Sequence, residues 1–363
     1  MDKLKLIAQF REAGADHGRL LGLAPDLRYA KVKLTDNCNS KCITCDYWKT
    51  HHDNELRLEE FQSVLEQLRG LGVEEVMFTG GEPTMRVELV PIVHHAARLG
   101  FSTIGLTTNA LSLPATKIDQ LLGAGLTQIV LSLEGPESHD EIRGVPGNTR
   151  KVLAVLEHLS VRRNGGAAVA VKLAMTLMER NLDEISDMIE LARTHRAVLF
   201  FNLIDRGTYF FQGMAVDLMT MRDRKKLDKA IDFLIAAKRQ EPDLIGNTVS
   251  SLEYARGYFD DPKQAGVPCY LGYIGVDIDA NGDVYSNCWG LPPVGNVRQH
   301  PLTEMLEAES YRQRCAAMFR KECPGCSCGY ILNLAYHKPA VDLDARYGFD
   351  PTIAAVGYAG TQS

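Results

Sequence analysis

Basic charge is not in excess: 40 Lys and Arg against 46 Asp and Glu give the 363 residues a formal net charge of -6. A general electrostatic affinity for nucleic acid is thereby disfavoured, and no partner follows from charge. No apolar run approaches the roughly 20 residues that cross a bilayer. The segment from Met1 to Gly22 mixes charges with apolar residues at helical spacing and lacks the unbroken apolar core of an export signal. Internal repeats and low-complexity tracts are missing too. These absences lead us to expect a cytoplasmic globular chain with no nucleic-acid or membrane partner. At 45% hydrophobic composition it can bury a full core, and its length suggests about two to three domains. Oligomeric state is not readable.

Cysteine is what the chain does have. Nine cysteines, an odd number, without an export signal argue for a reducing compartment and for metal ligation over disulfides. Cys38, Cys42 and Cys45 follow a predicted strand at Cys-x3-Cys-x2-Cys spacing. Three thiolates on one loop supply three of the four ligands of a cubane iron–sulfur cluster, leaving one iron open to a small molecule. Cysteine spacing alone does not separate this from zinc.

From residue 30 onward short apolar runs alternate with amphipathic stretches. Residues 30–34, 75–78, 103–107, 128–133, 168–173 and 197–203 read as strands, and 58–71, 87–99, 115–123, 149–162 and 182–194 carry helical periodicity. Consecutive β-α units imply a parallel sheet with right-handed crossovers, hence an open, partial (β/α)6 barrel of the α/β class. The suggestive residues fall where strands end, where such barrels do their chemistry. Cys38, Cys42 and Cys45 follow the first strand, Gly80-Gly81-Glu82-Pro83 the second, Thr107 to Asn109 the third, and Ser132 and Glu134 the fourth.

The cysteine triplet followed in order by Gly-Gly-Glu-Pro resembles the radical S-adenosylmethionine (SAM) enzymes. The resemblance implies that Cys38, Cys42 and Cys45 hold a [4Fe-4S] cluster that binds SAM. It implies that Gly80, Gly81, Glu82 and Pro83 lie against the SAM amino group, and that Asn109, Ser132 and Glu134 face its ribose or methionine part. His139 to Gly144, reading His-Asp-Glu-Ile-Arg-Gly, resembles a motif of members with a C-terminal cluster domain. Arg143 there is a candidate for the SAM carboxylate, against an ordinary loop salt bridge. One position departs: the residue before the third cysteine is often aromatic in the family and is Thr44 here, which leaves the adenine contact open, with Tyr47 and Trp48 nearby. His51-His52 and His94-His95 read as solvated pairs, since helix neighbours point apart.

The other six cysteines lie between 269 and 328. An apolar alternation broken by Asn281-Gly282 reads as a β-hairpin with a type I′ turn, bringing Cys269 and Cys288 together. Cys323-Pro-Gly-Cys326-Ser-Cys328 forms a knuckle. Four thiolates from hairpin and knuckle suit a second [4Fe-4S] cluster, or zinc. The arrangement resembles the twitch form of the SPASM domain, although Gly282 to Cys288 is one residue longer than usual. Cys269, Cys288, Cys323 and Cys326 are the expected auxiliary ligands, with Cys328 a possible substitute; Cys315 reads as a small buried hydrophobe on a helix. The expected division is a helical extension (1–29), the barrel (30–240), a linker (241–265), a small auxiliary-cluster domain of β-hairpin plus helix (266–330) and a tail (331–363).

The implied activity is reductive cleavage of SAM to a 5′-deoxyadenosyl radical that takes hydrogen from substrate, with a flavodoxin- or ferredoxin-type electron donor. The 29 residues before the first strand are shorter than a peptide-recognition domain. That favours a small polar metabolite such as an aminosugar, cyclitol or nucleoside, in natural-product biosynthesis. Lys172, Asp205 and Arg206 are substrate candidates. No carboxylate base adjoins Cys288, since Trp289 follows it. The alternatives are ribosomal-peptide maturation, sulfur insertion that consumes the auxiliary cluster, and a zinc-stabilised binding protein.

Overall fold

The structure, a computed structural model, describes residues 21–49, 53–204, 221–261 and 268–323. Asp205, Arg206, Cys326 and Cys328, the histidine pair at 51–52, the tail and most of the N-terminal extension lie outside the described residues. Among the described residues, nine strands form one sheet in the order β6-β5-β4-β3-β2-β1-β7-β8-β9. β1 (Tyr29–Lys33), β2 (Glu75–Thr79), β3 (Thr103–Thr108), β4 (Gln128–Ser132), β5 (Ala170–Leu177) and β6 (Val198–Leu203) run parallel in chain order. This is the partial (β/α)6 barrel that the alternating pattern predicts.

Strand alternation sorts the side chains. Ala30, Val32, Val76, Phe78, Ile104, Leu106, Leu131 and Leu173 are all at or below 1% exposure. They form the face covered by the crossover helices, which run Leu58–Gly70, Leu89–Leu99, Ala115–Gly123, Asn148–Asn164 and Ile185–Thr194. The first of these buries Phe61, Val64, Leu65 and Leu68, a one-sided stripe at helical spacing. In register on the opposite face, the lumen, stand Lys31 beside Met77, Lys33 beside Thr79, Gly105 beside Gln128, and Lys172 beside Val130 and Val198. At Gly105 a Cβ would lie 2.5 Å from the Met77 methyl carbon, so any larger residue there would displace the Met77 side chain.

The C-terminal part differs from expectation in three ways. β7 (Gly275–Ile278) pairs parallel with the free side of β1, so the hairpin continues the barrel sheet, with β8 (Asp283–Tyr285) and β9 (Gly295–Asn296) antiparallel beyond it. The hairpin turn is not type I′, since Gly282 has φ +92° while Asn281 is not among the residues of positive φ. The cause is Asp279, whose carboxylate accepts from the Asn281 and Asp283 N–H groups at 3.1 and 3.2 Å and whose carbonyl accepts from Gly282 at 3.1 Å. Such an Asx-stabilised turn with one left-handed glycine competes with the two-residue hairpin. Finally, the stretch 241–265, expected as a linker, contains the helix Val249–Tyr258, which buries Leu252, Ala255 and Tyr258.

Candidate active site at the carboxyl ends of the strands

The cysteine loop is stitched to two neighbours by backbone bonds. Gly81 N–H donates to Thr35 O and Glu82 N–H to Asn37 O, both at 2.8 Å. On the other flank Lys41 and Ile43 donate to the carbonyls of Arg143 and Ile142 at 3.1 and 2.9 Å. The glycines serve this stitching: a Cβ on Gly80 would stand 2.3 Å from Thr35 O, and one on Gly81 2.3 Å from Asn37 O. At Gly144, in a left-handed conformation at φ +64°, a Cβ would meet Lys41 O at 2.5 Å. Close backbone approach thus fixes where Cys38 and Cys42 sit.

Two buried carboxylates tie the strand ends together. Glu82, 1% exposed, accepts from Thr84 N–H (3.0 Å), the Thr84 hydroxyl (2.6 Å), the Thr108 hydroxyl (2.7 Å) and Asn109 N–H (2.7 Å). Burial pushes its carboxyl upward, opposed by these bonds. Its oxygens are committed within the protein, so the turn's backbone carbonyls are the acceptors left for a ligand ammonium. Glu134, also 1% exposed, accepts from Arg143 Nη2 at 2.5 Å and Thr176 N–H at 2.6 Å. Its own N–H donates to His139 Nδ1 at 3.0 Å. Burial, with Arg143 adding to it, holds His139 down at about 3, so the ring is neutral. Arg143 Nη1 stands 3.8 Å from Cys42 Sγ. Burial opposes the Arg143 charge, yet Glu134 and Cys42 raise it overall.

Asn109, 4% exposed, donates through Nδ2 to Asn39 Oδ1 (2.8 Å) and Ser40 Oγ (2.9 Å), and lies 3.9 Å from Cys38 Sγ. It is therefore a brace of the cysteine loop as well as a strand-end residue. Ser132 is 8% exposed at the end of β4. Burial pushes the Cys38 thiol up to about 12 and the Cys45 thiol up to about 11, and the neighbouring thiolates add to both. Two such sulfurs become stable as thiolates only beside concentrated positive charge, which is the environment iron or zinc provides. The donor set therefore fits a thiolate-bound metal cluster.

One contact was invisible in the sequence. Lys33, 5% exposed, donates to the Tyr47 hydroxyl at 2.6 Å and stands 4.0 Å from the centres of both the Tyr47 and the Trp289 rings. Tyr47 follows Cys45 by two residues and Trp289 follows Cys288, so one ammonium is clamped between the two cysteine-bearing segments. Burial lowers Lys33 to about 8, against Asp36, Asp279 and Asp277. Lys172 lies elsewhere: it lines a cavity with the first residues of β3 to β6, at the end of the barrel opposite the cysteine loop.

In the C-terminal part Cys269 N–H donates to Phe319 O at 3.4 Å, four residues before Cys323. Asn287, left-handed at φ +55°, donates to Leu271 O at 3.2 Å and so holds the Cys288 end beside the segment of Cys269. Cys315 is fully buried on the helix Glu309–Phe319, its thiol 3.2 Å from Gly272 O.

Residues 32–192 match the family described as the Radical SAM superfamily. An AdoMet-dependent heme synthase of Methanosarcina barkeri (strain Fusaro / DSM 804) is 25% identical over 326 residues, covering 81% of this chain and 89% of its own. A GTP 3',8-cyclase of Synechococcus elongatus is 33% identical over 196 residues, 51% of this chain and 58% of its own. A PqqA peptide cyclase of Rhizobium meliloti is 34% identical over 188 residues, 51% and 48%. The chain thus spans about half the length of both cyclases. Among solved structures, Streptococcus suis SuiB bound to S-adenosylmethionine superposes with a TM-score of 0.67 at 15% identity, covering 88% of this chain and 75% of that one. For anSMEcpe with bound AdoMet the values are 0.62, 17%, 87% and 92%. At these identities the likeness is one of fold.

Proposed function

We propose, from the match of residues 32–192 to the Radical SAM superfamily, that this radical SAM chain uses Cys38, Cys42 and Cys45 to hold a SAM-binding [4Fe-4S] cluster and acts by hydrogen abstraction on a small polar metabolite. When bound, the cluster and SAM supply reductive cleavage of the sulfonium and a carbon radical that takes hydrogen. The chain's own residues orient and shield. The turn Gly80 to Pro83 offers backbone carbonyls to the SAM ammonium. Arg143, steadied by Glu134, faces the cysteine loop as a cation for the SAM carboxylate. Asn109 and Ser132 line the approach for the ribose.

The observation that carries the reading is the bracing of the cysteine loop from the ends of β2, β3 and the helix His139–Arg143, which sets the buried Cys42 thiol 3.8 Å from Arg143. An auxiliary cluster held by Cys269, Cys288, Cys323 and Cys326 forms part of the same proposal. It is supported by the way Asn287 and Phe319 draw the first three segments together, and its role is to accept an electron or hold substrate. The buried ammonium of Lys33 between Tyr47 and Trp289 favours a compact polar substrate at the mouth.

A second reading, peptide maturation, is favoured by the similarity to the PqqA peptide cyclase. The test is deuterium transfer into 5′-deoxyadenosine from labelled candidates under anaerobic turnover. Transfer from a labelled aminosugar, cyclitol or nucleoside supports the first reading. Transfer from a labelled peptide alone replaces it with the second.

A further inference from the structure

A cavity of about 810 Å³ opens at the amino ends of β3 to β6, where Thr103, Gln128, Ala170 and Val198 line it. It lies opposite the end that carries the cysteine loop. Such a volume is in the range of small-molecule sites.

Its walls carry Lys172, Arg163, Arg193 and Arg196 against Glu241 and Asp243. Arg193 is neutralised by Glu241 at 2.6 Å. The other two arginines have no carboxylate within ion-pair distance among the described residues. Arg163 donates to the carbonyls of His195 (3.2 Å) and Arg196 (2.7 Å), and Arg196 to Asn164 Oδ1 (2.6 Å). These partners fix both guanidinium groups without cancelling their charge, and burial together with Arg196 pushes Arg163 downward, as expected for crowded cations. Arg196 is also held at φ +49°, a conformation uncommon for a side-chain-bearing residue.

Deeper in, Lys172 is 4% exposed and stands 6.0 Å from the Phe200 ring centre. Burial lowers it to about 7, with Glu75 as the opposing charge. Gln128, 1% exposed, has an amide nitrogen without a hydrogen-bond partner. That amide lies against the lumen wall, within 3.2 Å of where a Gly105 Cβ would stand. A buried donor left unmade is unfavourable, and a modest rotation of the side chain would present it to an acceptor in the cavity.

We propose that this cavity is a binding site for a small anion bearing phosphate or carboxylate groups, with Lys172 and Gln128 on its inner wall and Arg163 and Arg196 at its mouth. The site is separate from the proposed SAM chemistry and does not depend on it. An anion there would satisfy the Gln128 amide and offset the crowding of the arginines.

The test is calorimetric titration of the full-length protein with inorganic phosphate and, separately, with malonate at constant ionic strength. The expected result is saturable one-site binding of at least one of them, weakened at least tenfold in Lys172→Met. Tighter phosphate binding assigns a phosphate ester, and tighter malonate binding a carboxylate. Saturable binding of neither anion overturns the proposal, as does Lys172→Met binding within twofold of the parent. Should Lys172→Met fail to fold, the exposed Arg196→Gln decides: a threefold or greater loss supports the site, and unchanged affinity rejects it.

Discussion

The loop of Cys38, Cys42 and Cys45 is gripped from the ends of β2 and β3 and by the helix His139–Arg143, through backbone bonds, Asn109 and close-packed glycines. Cys269 and Cys288 are held by a short hairpin, one backbone bond to Phe319 and the side chain of Asn287. The first region has its geometry dictated by the barrel. The second borrows its geometry from β1, through the β1–β7 pairing, and from the Lys33 clamp. This difference teaches that the first site should survive damage to the second.

The largest effect should come from replacing Cys38, Cys42 and Cys45 together by alanine. The expected outcome is loss of 5′-deoxyadenosine formation from SAM and dithionite, and loss of about four irons per chain after anaerobic reconstitution. Formation at the parent rate would end the assignment. Next, Cys288→Ala should also remove about four irons per chain while leaving SAM cleavage within a few-fold of the parent, and Cys315→Ala should leave iron unchanged. Iron content equal to the parent's in Cys288→Ala would mean that the second region holds no cluster through this thiol.

A subtler break targets the grip itself. Arg143→Met leaves the Glu134 carboxylate buried without its ion pair, and removing one partner of such a pair costs about 3 to 5 kcal/mol. Chemical denaturation should register that loss, and the double variant with Glu134→Gln should recover part of it. A loss below about 1 kcal/mol, the range of exposed pairs, would show that Arg143 does not brace the loop.

The smallest effect is a pH dependence. His139 is neutral in the fold, held at about 3 against an ordinary 6.5, so below pH 6.5 the unfolded chain binds a proton that the folded one does not. Its contribution is therefore intact above pH 6.5 and is lost as pH falls toward 3. His139→Gln should flatten the decline in unfolding free energy between pH 6.5 and 5 by about 1 to 2 kcal/mol. An identical decline in both proteins would remove His139 as the cause.

The barrel was legible because its strands and helices are local patterns: β2, β3 and β4 start where the apolar runs start, and Ala115–Gly123 has the expected bounds. The cysteine loop was legible because its spacing is itself chemistry. The β1–β7 pairing was not, since no local period records which distant strand occupies a free edge. Nor was the inward commitment of Glu82, whose four donors come from three separate residues, two of them at the end of β3. The turn at Asn281-Gly282 misled because the dipeptide points to one hairpin type while Asp279, two residues earlier, stabilises another. Lys33 reads as an ordinary strand lysine until Tyr47 and Trp289 are brought against it.

The position of β1 between β2 and β7 has a consequence for how the chain is made. Residues 29–32 pair with 275–278, so during vectorial synthesis the first strand of the sheet stays one-sided until nearly all of the barrel has emerged from the ribosome. Contacts of such long sequence separation form late and slowly, and an unpaired edge in the interval is open to wrong partners. The cysteine loop that follows β1 therefore spends the synthesis of most of the polypeptide on an unfinished sheet. Its surroundings are complete only once the distant strand at 275–278 has docked beside β1.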